Sequence, residues 1–510
     1  MQLSRFTIVS KRTRAGSWVL FHSVSGAVDV VDDDVISGLR AFGTLVGAQG
    51  MTVDDGALPP PRSVLTDEEV AKLQDRGYLT VRSRDEELAL VPQIADALHE
   101  AAAKAPSFLV IPSLDCNYRC TYCFERPLQN QLTKPTEGRK KLNILSSYDR
   151  GTVTMTRGHV DALYEAIPKL RARHGDERGA GQIVLYGGEP LDARNEEIVR
   201  YIVEQGAARG HRFAVITNGH DIEVFADLFG AEGIQQCQIS IDGPKEVHDR
   251  RRIHLGGESS YDKVAASIQL LAGSGDTLVQ VRTHVDPHNL GTFEELLDDF
   301  GRRGWINHPN IVVYANTVYD MKEQDCGGRM SQQAIDERLR HLIGDCDNVL
   351  LNGPSINLRA KMLPALLKGL QIPVQGNYCS ANTGQYLFSP DGCMYSCWES
   401  VGKEESRVGR YVGETQEPSL ELTQAKTEEW FGRNVGRIPA CSECSMALVC
   451  GGGCAQFALY QNGTQRAPYC DSFEYIFRRA LADIADTFVA RADEVLAGEQ
   501  AGGLVRANYG

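Results

Sequence analysis

The 510-residue chain contains no run approaching the roughly 20 uninterrupted apolar residues that a membrane span requires. Its first 30 residues lack a charged start followed by an apolar stretch, which excludes a targeting segment of that kind. Positive charge is not in excess. The 53 Lys and Arg stand against 67 Asp and Glu, a net charge of -14, which argues against a nucleic-acid partner held by bulk electrostatics and leaves room only for a local basic patch. No segment repeats at solenoid period. With 42% hydrophobic and 24% charged residues, the composition excludes a disordered, collagen-like or coiled-coil chain. The expectation is a soluble cytoplasmic protein without membrane or nucleic-acid partners, of about three domains at roughly 150 residues each.

Cysteine, by contrast, is plentiful. Fourteen Cys in a chain without an export signal are poor disulfide candidates, since the cytosol keeps thiols reduced and a chain of this length needs no staples. Their spacing carries the information.

Residues 1–85 read as a small module of strands and short helices. Phe6-Thr7-Ile8-Val9 and Trp18-Val19-Leu20-Phe21, separated by Arg14-Ala15-Gly16, predict a hairpin. Asp32-Asp33-Asp34 predicts the cap of a helix through Leu39, Gly56-Ala57-Leu58 before three Pro marks a loop, and Thr66 with Glu69 has capping-box spacing. A linker helix is expected over 86–105. From about 106, strands alternate with helices, which points to a parallel sheet with helical crossovers. The apolar strands are Phe108–Ile111, Ile183–Tyr186, Phe213–Ile216, Gln238–Ile241, Leu278–Val281 and Ile311–Tyr314. Six such strands fit a partial barrel over 106–325, whose strand ends deliver Cys116, Gly187, Asn218, Asp242 and His284 to the rim that carries chemistry in barrel enzymes. A helical bridge (326–374), a Cys-rich region (375–475) and a terminal helix with a Gly-rich tail (476–510) complete the expected order.

Cys116, Cys120 and Cys123 stand in Cys-x3-Cys-x2-Cys spacing directly after the first barrel strand. Three thiolates this close can hold three irons of a cubane and leave the fourth open to chelate a small molecule. A zinc knuckle is disfavoured, because structural zinc takes four closed ligands and no fourth Cys or His lies nearby.

This segment resembles the radical S-adenosylmethionine (SAM) superfamily, whose open iron binds SAM and whose cluster cleaves it to methionine and a 5'-deoxyadenosyl radical. The resemblance extends to Gly187-Gly188-Glu189-Pro190 after the second strand, Thr217-Asn218-Gly219 after the third and Ser240-Ile241-Asp242-Gly243 after the fourth. It implies that the Gly187–Pro190 motif contacts the methionine amino group, and that Asn218, Ser240 and Asp242 lie near the methionine carboxylate and ribose. Arg282 is a candidate carboxylate partner, because its guanidinium can pair bidentately, and Tyr122 and Phe124 are expected near the adenine.

The later cysteines, Cys379, Cys397, then Cys441-x2-Cys444-x5-Cys450-x3-Cys454 and Cys470, closely match the seven-cysteine signature of SPASM domains. That resemblance implies two auxiliary clusters, three 4Fe-4S clusters in all. Cys379, Cys397 and Cys454 would serve the first auxiliary cluster, and Cys441, Cys444, Cys450 and Cys470 the second. Cys393 is either a fourth ligand to the first or a free thiol beside it. Taken alone, these spacings also suit zinc ribbons. Cys237, Cys326 and Cys346 have no partner at ligand spacing and are expected to be buried thiols.

Two family branches fit: anaerobic sulfatase maturases, which make formylglycine, and maturases of ribosomally made peptides, which install thioether or carbon-carbon crosslinks or related changes. Sulfatase maturases typically carry Asp after the Cys matched by Cys397. Here Trp398 follows, which cannot accept a proton. Residues 1–85 also resemble, in element order, the winged-helix module that binds a precursor's leader peptide by strand addition; a packing extension is the alternative. The expected partners are a precursor peptide with a leader and an electron donor such as flavodoxin or ferredoxin. A non-catalytic iron-sulfur or zinc scaffold has no need of an open iron.

Overall fold

The computed structural model describes residues 1–46, 58–61, 65–125, 154–318, 330–343, 346, 348–351, 353–367, 370–413 and 417–496. Gly56, Ala57, Cys326 and the Gly-rich tail lie outside them. Two compact units are present: Met1–Ala101 with Asn352–Cys379 and Arg433–Gly510, and Ala102–Leu351 with Ser380–Gly432. No helix among the described residues is long and apolar enough to cross a membrane.

The first unit contains β1 (Gln2–Leu3), β2 (Thr7–Val9), β3 (Trp18–His22), β4 (Val28–Val31) and β5 (Leu79–Thr80). β2, β3 and β4 form an antiparallel sheet, so the expected hairpin is present with one further strand. Both expected helix starts are present: Asp32 accepts from the Val35 N–H, and Thr66 and Glu69 cap each other's backbone, satisfying donors that a helix start leaves open. Successive residues of a strand face opposite sides. Ile8, Val19 and Phe21 therefore share a core with Val91, Leu448, Phe477 and Leu481, while Val9, Trp18 and Leu20 cover Ile36, Leu39 and Tyr78. The N-terminal strands and the C-terminal Cys run are thus buried in one core.

The edges of this sheet differ. Along β2, Arg478 Nε donates to the Val9 carbonyl at 2.7 Å, and the Lys11 N–H reaches the Arg478 carbonyl at 2.9 Å. Along β4, Arg76 Nη2 reaches the Val28 carbonyl at 2.8 Å. The Val19 carbonyl accepts from the Ser10 N–H and its N–H donates to Ser10 Oγ, both on the β2 side, so Val30, opposite Val19, turns its own N–H and C=O away from β3. Val30 is 41% exposed and has no main-chain partner on that side among the described residues.

The second unit contains β6 (Ser107–Val110), β7 (Tyr118–Cys120), β8 (Gln182–Leu185), β9 (Arg212–Thr217), β10 (Ile234–Ser240), β11 (Arg252–His254), β12 (Leu278–Val285), β13 (Ile311–Thr317), β14 (Val349–Leu350), β15 (Gln385–Phe388), β16 (Cys393–Tyr395), β17 (Arg407–Val412) and β18 (Pro418–Leu422). β6, β8, β9, β10, β12 and β13 lie side by side, parallel and in chain order, with helices between them: a partial (β/α)6 barrel built from the six strands read in the sequence. Two additions were not legible. β14 joins beyond β13, and β15 pairs parallel with β6 before leading into the antiparallel β16, β17 and β18. Gln385-Tyr386-Leu387-Phe388 is a four-residue run, too short to separate from a buried turn by periodicity.

Candidate functional site at the strand ends

The loop after β6 carries Cys116, Cys120 and Cys123, and a small antiparallel sheet frames it. β7 pairs with β11 so that Arg252 stands opposite Cys120 and His254 opposite Tyr118. Glycine sets how closely the next strand end approaches. A Cβ on Gly188 would lie 2.1 Å from the Asp115 carbonyl oxygen, and Gly187, at φ +133°, would place one 2.7 Å from that of Ser113. With no Cβ at Gly187 or Gly188, the N–H groups of Gly188 and Glu189 reach those carbonyls, of Ser113 at 3.1 Å and Asp115 at 2.9 Å.

Glu189 is a clamp. Its buried carboxylate accepts from the Leu191 N–H (2.8 Å), the Thr217 hydroxyl (2.5 Å) and the Asn218 N–H (2.6 Å), joining the ends of β8 and β9, while Pro190 beside it is buried. Burial pushes its carboxyl up to about 7 against those hydrogen bonds. Asn218 Nδ2 then donates to Asn117 Oδ1 at 2.6 Å and lies 4.0 Å from Cys116 Sγ. The Glu189 and Asn218 side chains are thus engaged with the scaffold, and backbone lines the opening beside them.

Asp242, fully buried, anchors the opposite side. Its carboxylate accepts from the Tyr122 hydroxyl and, at 3.1 Å, from the His284 N–H; Arg252 Nη1 donates to the Tyr122 oxygen at 2.8 Å. Arg251 Nε lies 3.8 Å from Asp242 and its Nη1 2.8 Å from Asp286. Burial acts to raise the Asp242 carboxyl, but His284, Arg252 and Arg251 together hold it well below the usual range. Burial, then the Arg282 charge, pushes His284 down to about 4, so its ring is neutral at pH 7. Arg282, aligned with Ser240 across β12 and β10, has a buried Nε with no hydrogen-bond partner among the described residues. Phe124 is 36% exposed at the loop's outer side.

Burial raises the thiols of Cys116, Cys120 and Cys123; Arg252 works the other way on Cys120 and Cys123, and none is disulfide-bonded. Such thiols ionise when a metal replaces their protons, so the set suits metal binding. The sequence reading brought His284 to the rim but passed over Arg251 and Arg252 as site residues. The run His248-Asp249-Arg250-Arg251-Arg252 was their only signal, and a charge run reads by default as a solvated face. It also passed over two carboxyls of this unit, Glu125 and Glu399, which burial raises to about 7 and about 8; Trp398, beside Glu399, packs on Tyr186 with ring centroids 5.7 Å apart.

In the first unit, Cys441, Cys444 and Cys450 are buried and Cys379 and Cys454 half-buried, while Cys470 is exposed. Gly451, Gly452 and Gly453 run consecutively at positive φ, and a Cβ on Gly453 would lie 1.8 Å from the Tyr469 carbonyl oxygen, beside Cys470. Cys393 and Cys397 belong to the barrel unit. Cys393 Sγ lies 3.8 Å from the Asp391 carbonyl oxygen and 3.9 Å from Arg407 Nη1, within an apolar cluster that includes Leu109, Ile111 and Leu387. Cys237 is buried as expected, whereas Cys346 is half-buried.

His220, His254 and Glu258 each bring a potential ligand atom within 4.8 Å of the others. The two rings stack at 4.1 Å with planes 16° apart, so their in-plane lone pairs do not converge on one ion.

Residues 110–300 match the family model of the radical SAM superfamily. The chain is 23% identical over 398 residues to a cysteine-type anaerobic sulfatase-maturating enzyme of Clostridium novyi (strain NT), which covers 76% of this chain and 98% of the relative. It is 18% identical over 401 residues to the radical SAM cyclopropyl synthase TigE of Paramaledivibacter caminithermalis, 78% of each chain. Among solved structures, the histidine-tagged form of anSMEcpe with bound AdoMet shares the fold at TM-score 0.54 and 18% identity, over 77% of this chain and 97% of that one.

Proposed function

From its membership of the radical SAM superfamily, as an enzyme with a Cys-rich C-terminal region, we infer that the protein is a maturase that abstracts a hydrogen atom from a ribosomally synthesised peptide and installs a thioether or carbon-carbon crosslink or a related modification. A 4Fe-4S cluster with SAM on its open iron supplies one-electron cleavage of SAM to methionine and a 5'-deoxyadenosyl radical. The residues present fit that group. Cys116, Cys120 and Cys123 offer three thiols on one loop, and the cradle at Gly187 and Gly188 has no room for a Cβ. The unpartnered Nε of Arg282 suits a carboxylate such as that of SAM. Glu189 and Asp242 hold the strand ends around them, so their part in SAM binding is exercised through positioned backbone and through Tyr122. An electron donor such as flavodoxin or ferredoxin supplies the electron, and two auxiliary clusters bring the total to three.

The observation that carries the peptide reading is the β4 edge. One edge of the N-terminal sheet is tied down by Arg478, while the Val28–Val31 edge directs Val30's backbone groups outward, as strand addition of a leader peptide requires. Incubation of reconstituted enzyme with SAM, reductant and a precursor peptide tests it. The expected product has lost hydrogen and shows a new linkage in fragmentation spectra, and a leaderless peptide is modified only at higher concentration. Equal use of both peptides would remove the leader from the account.

A second reading, formylglycine formation on a protein, draws on the likeness to sulfatase-maturating enzymes over nearly their whole length. Although Trp398 cannot take a proton, Glu399 beside it carries a carboxyl that can. A product that reacts with an aldehyde probe would establish this reading over the first.

A further inference from the structure

Arg433 is a deeply buried charge of the first unit. The residue is only 4% exposed. Its Nε donates to the Gln465 carbonyl at 2.6 Å, and its Nη2 to those of Gly452 at 2.9 Å and Ala467 at 3.3 Å. Its Nη1 is buried with no partner, and the side chain makes no ion pair among the described residues. A guanidinium does not shed its proton in a protein, so this is a standing positive charge. Burying such a charge without compensation is costly. The groups whose charge acts most strongly on it are the thiols of Cys379, Cys454, Cys441 and Cys450.

As neutral thiols these four would leave the guanidinium uncompensated. As thiolates on an iron-sulfur centre they supply the missing negative charge, and that centre becomes more negative when reduced. The backbone agrees with the charge. Gly452 lies between Cys450 and Cys454, and Gln465 and Ala467 lead to Cys470, so one side chain ties together the segments that carry the cysteines.

We propose that Arg433 is a positioning residue that compensates the negative charge of the auxiliary iron-sulfur chemistry built by the surrounding cysteines and raises its reduction potential. The proposal rests on the iron-sulfur reading above. A fixed cation beside a cluster favours the form with the added electron, so its loss moves the potential down.

The test compares full-length, anaerobically reconstituted wild type with Arg433→Met and Arg433→Lys. Iron per chain is counted, and redox titrations are followed by electron paramagnetic resonance, the SAM-binding cluster being identified by its response to added SAM. Arg433→Met should shift an auxiliary signal to more negative potential and leave the SAM-binding cluster where it was, while Arg433→Lys stays nearer wild type. Full iron with unchanged potentials in Arg433→Met would overturn the proposal. If Arg433→Met loses auxiliary iron, Arg433→Lys decides: retained iron supports charge compensation, and loss in both variants assigns Arg433 to its three hydrogen bonds and overturns it. A wild type holding iron only at the SAM-binding loop would overturn the iron-sulfur reading itself, and the proposal with it.

Discussion

Around Cys116, Cys120 and Cys123 the charges form a network: Asp242, Arg251, Arg252 and Asp286, with Tyr122 and His284 between them. Beside Cys441, Cys450 and Cys454 lies the buried Arg433 guanidinium, bonded to the carbonyls of Gln465, Gly452 and Ala467. In the first region Asp242 and Asp286 already pair with Arg251 before any metal enters, which suits a rim that must present a shaped opening to a small charged ligand. The second is complete only when its thiols are ionised, which suits a closed site where the metal is part of the core. Both rely on glycine for close backbone approach, Gly188 against Asp115 in one and Gly453 against Tyr469 in the other.

That shared device gives the largest expected effect. Gly188→Ala would drive a Cβ into the Asp115 carbonyl and displace the cysteine loop, and displacement by an ångström at a reacting site costs on the order of 10²-fold in rate. SAM cleavage should fall accordingly while auxiliary iron is retained. Gly453→Ala should do the reverse, losing auxiliary iron and keeping SAM cleavage. If either variant lost both, the two regions would not be separable.

The six barrel strands were legible because each contains a short apolar run, and three of them lead on to Gly187, Asn218 or Asp242. The cysteine spacings were legible because metal ligation constrains sequence distance. Arg433 and Arg252 were not, since a lone Arg and a charge run both read as surface and only the folded chain shows them buried. Nor was the sharing of one core by Phe21 and Leu481, which depends on contacts between segments far apart in the chain.

The same core shapes the next test. Removing residues 1–85 would strip one wall from the hydrophobic cluster around Leu448 and Phe477, so a point change is the sharper tool. Val30→Pro removes one outward N–H from β4, and a loss of about 1–1.5 kcal/mol of main-chain bonding should weaken precursor binding roughly tenfold. SAM cleavage without peptide should not change. A fluorescence titration with full-length precursor that showed unaltered affinity would leave the N-terminal sheet as packing.

Acid should separate the units by a smaller margin. Burial first, then nearby Arg charges, pushes His284 and His248 of the barrel unit down to about 4 and about 3; burial and Arg82 push His22 of the first unit down to about 4. A histidine with a lowered folded pKa binds fewer protons folded than unfolded, so its contribution is present above about pH 6.5 and is lost as pH falls toward the folded value. At about 1.36 kcal/mol per unit, His284 and His22 each contribute at most ~3 kcal/mol and His248 at most ~5 kcal/mol. Glu189 and Glu125, raised to about 7, and Glu399, raised to about 8, act oppositely, their contributions being lost as pH rises from about 4.5 through those values, so on acidification they outweigh the loss from the barrel's two histidines. Hydrogen exchange at pH 7 and pH 5 should show the first unit, where no raised carboxyl offsets His22 among the described residues, losing more protection than the barrel unit. Equal protection at both pH values would contradict the burial argument.

Cys393→Ala should have the smallest effect. Its sulfur lies in an apolar cluster beside the Asp391 carbonyl, so we expect modest destabilisation with iron count and auxiliary spectra unchanged. Loss of iron or an altered auxiliary signal would make it a ligand.

The most direct test of the account is to reconstitute wild type and the Cys116→Ala, Cys120→Ala, Cys123→Ala triple variant anaerobically, count iron and assay 5'-deoxyadenosine. Three cubanes predict about twelve irons in the wild type and about eight in the variant, with 5'-deoxyadenosine from the wild type alone. A variant that keeps its full iron, or still forms 5'-deoxyadenosine, would contradict the assignment of these three cysteines to the SAM-cleaving cluster.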